Sequence, residues 1–267
     1  MAAATLRPVR HLAFEPEPEF DRGPVESSRV DPDLESWVRQ VIDPTTPPDE
    51  LPGLLQRLAD RALSGGTMAL TFEAEPADGV LDQLVRSAGF EPTRTTLQLR
   101  RSLPIPDDRR GRQPTGKAPI LRPFRPDHDE ASWLDVNRRA FAWHPEQGRW
   151  TLGDLAERER EPWFRPEGFL VHDADPQSHR IDGFCWTQIH ADDEPPLGEI
   201  YVIGVDPDSH GQGLGRALVL AGLDGLTDAG LEIAMLYVES DNEPALRLYH
   251  DLGFVEHLAH RWWRRDL

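Results

Sequence analysis

The fold is decided by Gly198-Glu199-Ile200-Tyr201-Val202-Ile203-Gly204-Val205-Asp206-Pro207 and by the His210-Gly211-Gln212-Gly213-Leu214-Gly215-Arg216 that closely follows it. Ile200 to Val205 is apolar and rich in β-branched residues, as a buried strand is. Asp206-Pro207 ends it, because proline cannot donate to a sheet ladder and restricts the residue before it. Three glycines then mark a turn, and Leu214, Leu218, Gly222 and Leu226 recur at helical spacing until Gly230. Strand, glycine turn and helix form an anion cradle: backbone N–H groups point outward, and no Cβ keeps a phosphate from the main chain.

Outward from this stretch, Ile233 to Glu239 reads as a strand, Asn242 to Leu252 as a helix that tolerates Pro244 in its first turn, and Arg261 onward as a last strand. Upstream, Ile120 to Phe124 reads as a strand and Asp129 to Phe141 as a helix. A loop carries His144-Pro145-Glu146-Gln147-Gly148, Leu152 to Arg160 is helical, and strands follow at Gly168 to His172 and Asp182 to His190. The resulting order, β-α-α-β-β-β-α-β-α-β, is an α/β arrangement with a mixed sheet. The first half offers helices at Leu51 to Leu63 and Leu81 to Ala88, strands at Thr67 to Glu73 and Thr95 to Arg100, and a short helix around Leu34 to Ile42. Almost no apolar content lies between Pro104 and Pro119, which suits a linker.

The two halves echo each other. Leu84, Gly89, Phe90, Arg100, Arg101 and Leu103 match Leu248, Gly253, Phe254, Arg264, Arg265 and Leu267 at a constant offset. The first half lacks the glycine turn after a strand, and Val85 stands where the second half has Tyr249.

A chain of 267 residues has core enough for two domains. A formal net charge of -18 disfavours nucleic acid and anionic membranes as partners, yet leaves room for a small anion held by local amides. The single cysteine, Cys185, cannot pair within the chain, and no secretory or membrane-spanning apolar run is present, so the cytoplasm is the expected location; a monomer is expected as well. His257 and His260 have no further ligand run beside them, and no metal is expected.

Val205-Asp206-Pro207, Gly213-Leu214-Gly215, Tyr237 through Asn242, Leu248-Tyr249 and Gly253-Phe254 together resemble the GCN5-related N-acetyltransferase (GNAT) superfamily over roughly 120–267. Within it, Ala140-Phe141, His144 through Gly148, Trp150-Thr151, Gly183-Phe184, Trp186-Thr187, Gly198 through Pro207 and Leu236 through Asn242 resemble the mycothiol synthase family. The resemblance implies a catalytic GNAT domain at 120–267, a linker at 107–119 and a degenerate, shortened GNAT-like domain at 1–106. It further implies acetyl transfer from acetyl-CoA to the cysteinyl amine of a cysteinyl-glucosaminyl-inositol, the last step of mycothiol synthesis. The alternatives are a GNAT enzyme for another small amine or a peptide N-terminus, and a non-catalytic acyl-CoA-binding sensor.

Acetyl transfer requires a deprotonated amine, a polarised thioester carbonyl and a protonated leaving thiolate. With the resemblance, Glu199 is expected as general base, directly or through water, and by alternation on the same face as Tyr201 and Ile203. An α-amine of pKa about 7.7–8.0 asks only for a modest base. Tyr249 is expected as general acid. Ile203, Gly204 and Val205 would face the thioester arm; His210, Gly211, Gln212, Gly213, Leu214, Gly215 and Arg216 would hold the pyrophosphate; Asn242, Ala245 and Arg247 would lie along CoA. Glu146, Gln188, Glu199 and Tyr237 are the implied substrate contacts. Two positions depart from the pattern: His210 stands where Arg or Gln is usual, and Gln188 where a basic residue is expected. Cys185 reads as a small strand hydrophobe.

Overall fold

A computed structural model describes residues 12–16, 50–64, 67–74, 79–111, 119–142, 147–175 and 179–267. In chain order the elements are β1 (Leu12–Pro16), α1 (Leu51–Ser64), β2 (Thr67–Ala74), α2 (Gly79–Ser87), β3 (Glu91–Ser102), α3 (Asp107–Arg110), β4 (Leu121–Pro123), α4 (Glu130–Ala140), α5 (Leu152–Glu159), β5 (Phe169–Asp175), β6 (Arg180–His190), β7 (Leu197–Val205), α6 (Leu214–Asp228), β8 (Ile233–Glu239), α7 (Glu243–Asp251) and β9 (Val255–Asp266). From β4 onward this is the order expected. β1 was not foreseen, and the helix expected around Leu34 to Ile42 lies outside the described residues.

Contacts divide the chain into two compact units. One comprises Met1–Gln98, Val238–Asn242 and Glu256–Leu267, the other Leu99–Tyr237 and Glu243–Val255. The units interleave, unlike the consecutive segments 1–106, 107–119 and 120–267. Long-range pairing explains the difference: Arg261 to Asp266 of β9 pair antiparallel with Ala69 to Ala74 of β2, and Trp263 is fully buried with Leu55, Leu58, Val85 and Phe90 in the first unit's core. The expected linker is structured at its start, where Asp107–Arg110 forms a helical turn. The two glycine turns of the echo share one local geometry. Gly89 has φ 80° and Gly253 φ 85°, and Phe90 N–H donates to Val85 O as Phe254 N–H donates to Tyr249 O, a left-handed close to each helix.

In the second unit the strands run β8-β7-β6-β5-β4. The β4, β5, β6 and β7 pairs are antiparallel and β7–β8 is parallel. α6 covers one face and α4 the other. The α6 side is close-packed: a Cβ on Gly222 would lie 2.7 Å from Cys185 Sγ, so helix and sheet meet where neither residue has bulk. The opposite face is aromatic, with Phe169 stacked on both Phe124 and Trp186 at 4.3 Å between ring centroids, and Trp133 of α4 edge-on to Phe169, Phe184 and Trp186.

Gly222→Ala should destabilise the protein by about 1–3 kcal/mol through overpacking, and adding Cys185→Ala should recover part of that loss. Urea unfolding of the two single variants and the double variant measures the coupling.

Candidate active site

β7 and β8 pair through Gly198↔Ala234, Glu199↔Met235 and Ile200↔Leu236, and the ladder ends there although β7 runs on to Val205. The far edge of β7 beyond Ile200 is therefore outside the parallel ladder, and its main-chain polar groups call for other partners. On its other edge β7 bulges. Val202 faces Trp186 and Ile200 faces Thr187, so Tyr201 has no opposite residue.

The bulge corrects one expectation. Simple alternation put Ile203 on the face of Glu199 and Tyr201. With the extra residue, Tyr201 and Val202 both pack on the aromatic core. A Cβ on Gly204 would meet Phe184 and Ala140 of that same side, so Ile203 turns to the α6 side.

Glu199 is 7 % exposed and stands opposite Gln188 in the β6–β7 ladder. Its nearest polar partner is a residue the sequence reading passed over: His190 Nε2 donates to Glu199 Oε2 at 2.6 Å. The Glu199 hydrogen bond holds the His190 imidazole above its ordinary range, against burial, with Asp193 adding a smaller pull. The signal was available, since His190 is two residues beyond Gln188 and shares its face. Tyr201 beside them packs on Trp163 at 5.2 Å and Trp186 at 5.5 Å. Burial pushes its hydroxyl up, and Arg158 opposes this.

Tyr249 is placed apart from Glu199. It is buried, edge-on to Phe254 at 5.8 Å, and burial, with a smaller contribution from Cys185, pushes its hydroxyl well above the ordinary phenol range. Cys185 is itself fully buried, its thiol pushed up to about 12 by burial. Cys185 lies against Gly222 of α6, so Tyr249 belongs to the α6 side and Glu199 to the aromatic side. Tyr237 is 38 % exposed. Glu146 lies outside the described residues, but Gln147 next to it is anchored: Asn137 Nδ2 donates to Gln147 O at 2.6 Å, and Gln147 Nε2 returns to Asn137 Oδ1 at 3.1 Å.

The turn after β7 is braced from beneath. Asp206, 1 % exposed, accepts from Arg139 Nε at 2.9 Å, Arg139 Nη2 at 2.7 Å and the Asp208 amide at 2.9 Å. Ser209 Oγ donates to Asp182 Oδ2 at 2.7 Å, and His172 Nδ1 meets Asp182 Oδ1 at 2.6 Å. His210 bends back, donating Nε2–H to Val205 O at 3.0 Å. Gly211 and Gly213 then adopt φ 75° and 81°, a region that costs other residues strain. A Cβ on Gly211 would meet nothing within 4 Å, and Gly213 brings no side-chain cap to α6. The cradle is open and its first-turn amides have no capping side chain, which fits a pyrophosphate. Arg216 is directed elsewhere, donating to Arg109 O at 3.1 Å and Arg110 O at 3.2 Å. Arg247 pairs with Glu243 at 3.1 Å. Asn242 and Ala245 are at the start of α7, Asn242 N–H donating to Glu239 O at 3.0 Å. A cavity of about 320 Å³ lined by Trp163, Arg165, Thr187, Gly222 and Gly225 contains none of Glu199, Tyr249 or the glycine turn.

A split parallel strand pair followed by an open glycine turn is a place for an extended ligand that ends in a phosphate. Residues 133–254 match the model of the Acetyltransferase (GNAT) family, and the chain belongs to that family. Its relatives carry a more particular name. It is 50 % identical over 177 residues to the Mycothiol acetyltransferase of Acidimicrobium ferrooxidans, covering 66 % of this chain and 55 % of that one. It is 39 % identical over 263 residues to the Mycothiol acetyltransferase of Salinispora arenicola, covering 97 % and 82 %. The chain thus spans little more than half the length of the first relative. The GCN5-related N-acetyltransferase from Sphaerobacter thermophilus shares the fold, with a TM-score of 0.59 at 22 % identity over 87 % of this chain and 68 % of that one.

Asp206 gives a pH test. Burial alone would raise its carboxyl, but the Arg139 hydrogen bonds and the Asp208 amide hold it below the usual range. A lowered folded value means stability that is complete above about pH 4 and lost as pH falls through that folded value. Urea midpoints at pH 6 and pH 3 should therefore fall less steeply in Asp206→Asn than in the natural protein.

Proposed function

We propose that the chain is an acetyl-CoA-dependent N-acetyltransferase whose acceptor is the cysteinyl amine of a cysteinyl-glucosaminyl-inositol, giving mycothiol. The observation that carries this reading is the end of β7–β8 pairing at Ile200 directly before the braced glycine turn, in a chain whose relatives bear that name. Acetyl-CoA supplies the activated acetyl thioester. Gly211, Gly213 and the first amides of α6 bind its pyrophosphate, aided by Gln212, Leu214 and Gly215 of the same turn, and α7 from Asn242 to Arg247 flanks it. The unladdered edge of β7 from Ile203 to Val205 pairs with the extended arm and polarises the carbonyl.

Glu199 takes the amine proton on the aromatic side of the sheet, and Tyr249 protonates the departing sulfur on the α6 side. An acyl group threaded between β7 and β8 meets both. A phenol with a raised pKa keeps its proton until a strongly basic thiolate appears, which suits an acid. Gln188, opposite Glu199, and Tyr237 contact the acceptor, and Glu146 is assigned there by resemblance alone. The catalytic machinery resides in the second half, the first being a degenerate copy without the cradle, and the reaction is assigned to the cytoplasm.

The test is thiol release from acetyl-CoA with a panel of amines. Turnover should be fastest with the cysteinyl-glucosaminyl-inositol, and because Gln188 replaces a basic residue the panel includes other α-amines and peptide N-termini. Turnover only with one of those would reassign the acceptor, and none with any amine would leave a binding protein. Tyr249→Phe should lower kcat by about 10²-fold or more while leaving acetyl-CoA affinity nearly intact. Glu199→Gln should lower kcat similarly and remove the acidic limb of the pH–rate profile; a limb that persists would exclude Glu199 as the base.

A further inference from the structure

Glu199 has one buried oxygen committed to His190, and the pair has an inside and an outside. The Glu199 side chain is 10 % exposed and that of His190 29 %. Both project from the aromatic face, at positions fixed by the β6–β7 register, Gln188↔Glu199 and His190↔Leu197. The charged and titratable groups around them are Asp193 from the β6–β7 turn, Tyr201 on β7, and Arg158 and Glu161 at the end of α5; Gln188 cannot titrate.

We propose that His190 is the positioning residue of Glu199 and its proton outlet, holding Oε2 so that Oε1 takes the amine proton while the imidazolium releases its Nδ1 proton to water. This rests on Glu199 being the base. The exchange balances. As the C–N bond forms, an amine N–H bond breaks and its proton passes to Glu199. The C–S bond breaks and sulfur takes the Tyr249 proton, which solvent replaces. His190 gives one proton to water, and the carboxyl proton then shifts to the imidazole to restore the starting pair.

Physical coupling drives the release. The carboxylate of Glu199 is the main influence keeping a proton on His190, and burial works against it. Once Glu199 is neutral, burial is opposed only by the smaller pull of Asp193, and the imidazolium sheds its proton. The pair carries no net charge before the amine proton arrives or after the release; the positive charge held between the two transfers is costly to bury, and that cost favours the release. The raised folded value of His190 also means that its contribution to stability is complete below about pH 6.5 and is lost as pH rises through the folded value.

Selective histidine labelling and NMR follow His190 directly, without turnover. In the natural protein its midpoint should lie above 6.5, and in Glu199→Gln at or below 6.5; the same midpoint in both overturns the coupling. His190→Gln, which keeps a donor to Oε2, and His190→Ala should each lose roughly 10²-fold in kcat with KM for acetyl-CoA unchanged. Added imidazole should restore turnover to His190→Ala. Full turnover and an unaltered pH profile in His190→Ala, or no restoration in a variant whose urea midpoint matches the natural protein, overturns the outlet while Glu199 stands as base. Full turnover in Glu199→Gln removes the base itself, which is a different failure.

Discussion

Three residue pairs join β7 to β8, and then the ladder stops. A parallel pair that separates while both strands continue leaves a column of N–H and C=O groups without ladder partners, an unstable condition for buried backbone unless something else takes them. The bulge at Tyr201 on the opposite edge accompanies the separation: an extra residue bends its strand and increases local twist. The opening is therefore built into the register of two neighbouring ladders, and β7 runs on from it into the glycine turn.

Such an opening needs rigid ground on either side. Beneath the turn, that ground is ionic, with a buried Asp206 held by Arg139 from α4 and by the loop's own amide. Under β7 it is aromatic, with Phe169 stacked between Phe124 and Trp186 and closed by Trp133. On the α6 face it is simple closeness, glycine against cysteine. Rigid rings, a fork-shaped guanidinium and a missing Cβ all place neighbours with little rotamer freedom, which is what a preorganised site requires.

The central stretch was legible because its signals are local. A β-branched run, Asp-Pro, spaced glycines and a helical stripe each act within a few residues, and β7, the turn and α6 appear where those signals place them. What escaped was set by partners distant in sequence. Ile203 changed faces because of how β7 meets Trp186 and Thr187, which no alternation within β7 reveals. His190 went unnoticed because its significance lies across a turn, in Glu199. β9 joined the first unit because Trp263 fills a core formed mostly by residues some 170 to 210 positions earlier. The segment taken for a linker begins as a helical turn tied to α6 by Arg216 and by the Arg110–Asp224 ion pair, two contacts invisible in a string of polar residues.

The meeting of Gly222 with Cys185 has a chemical consequence as well as a steric one. A thiol attacks acyl groups and disulfides as its exposed thiolate. The chain's one sulfhydryl is sealed between helix and sheet and stays protonated at any physiological pH. It is therefore closed both to acylation and to mixed-disulfide formation. The fold thus keeps its own sulfur chemically silent.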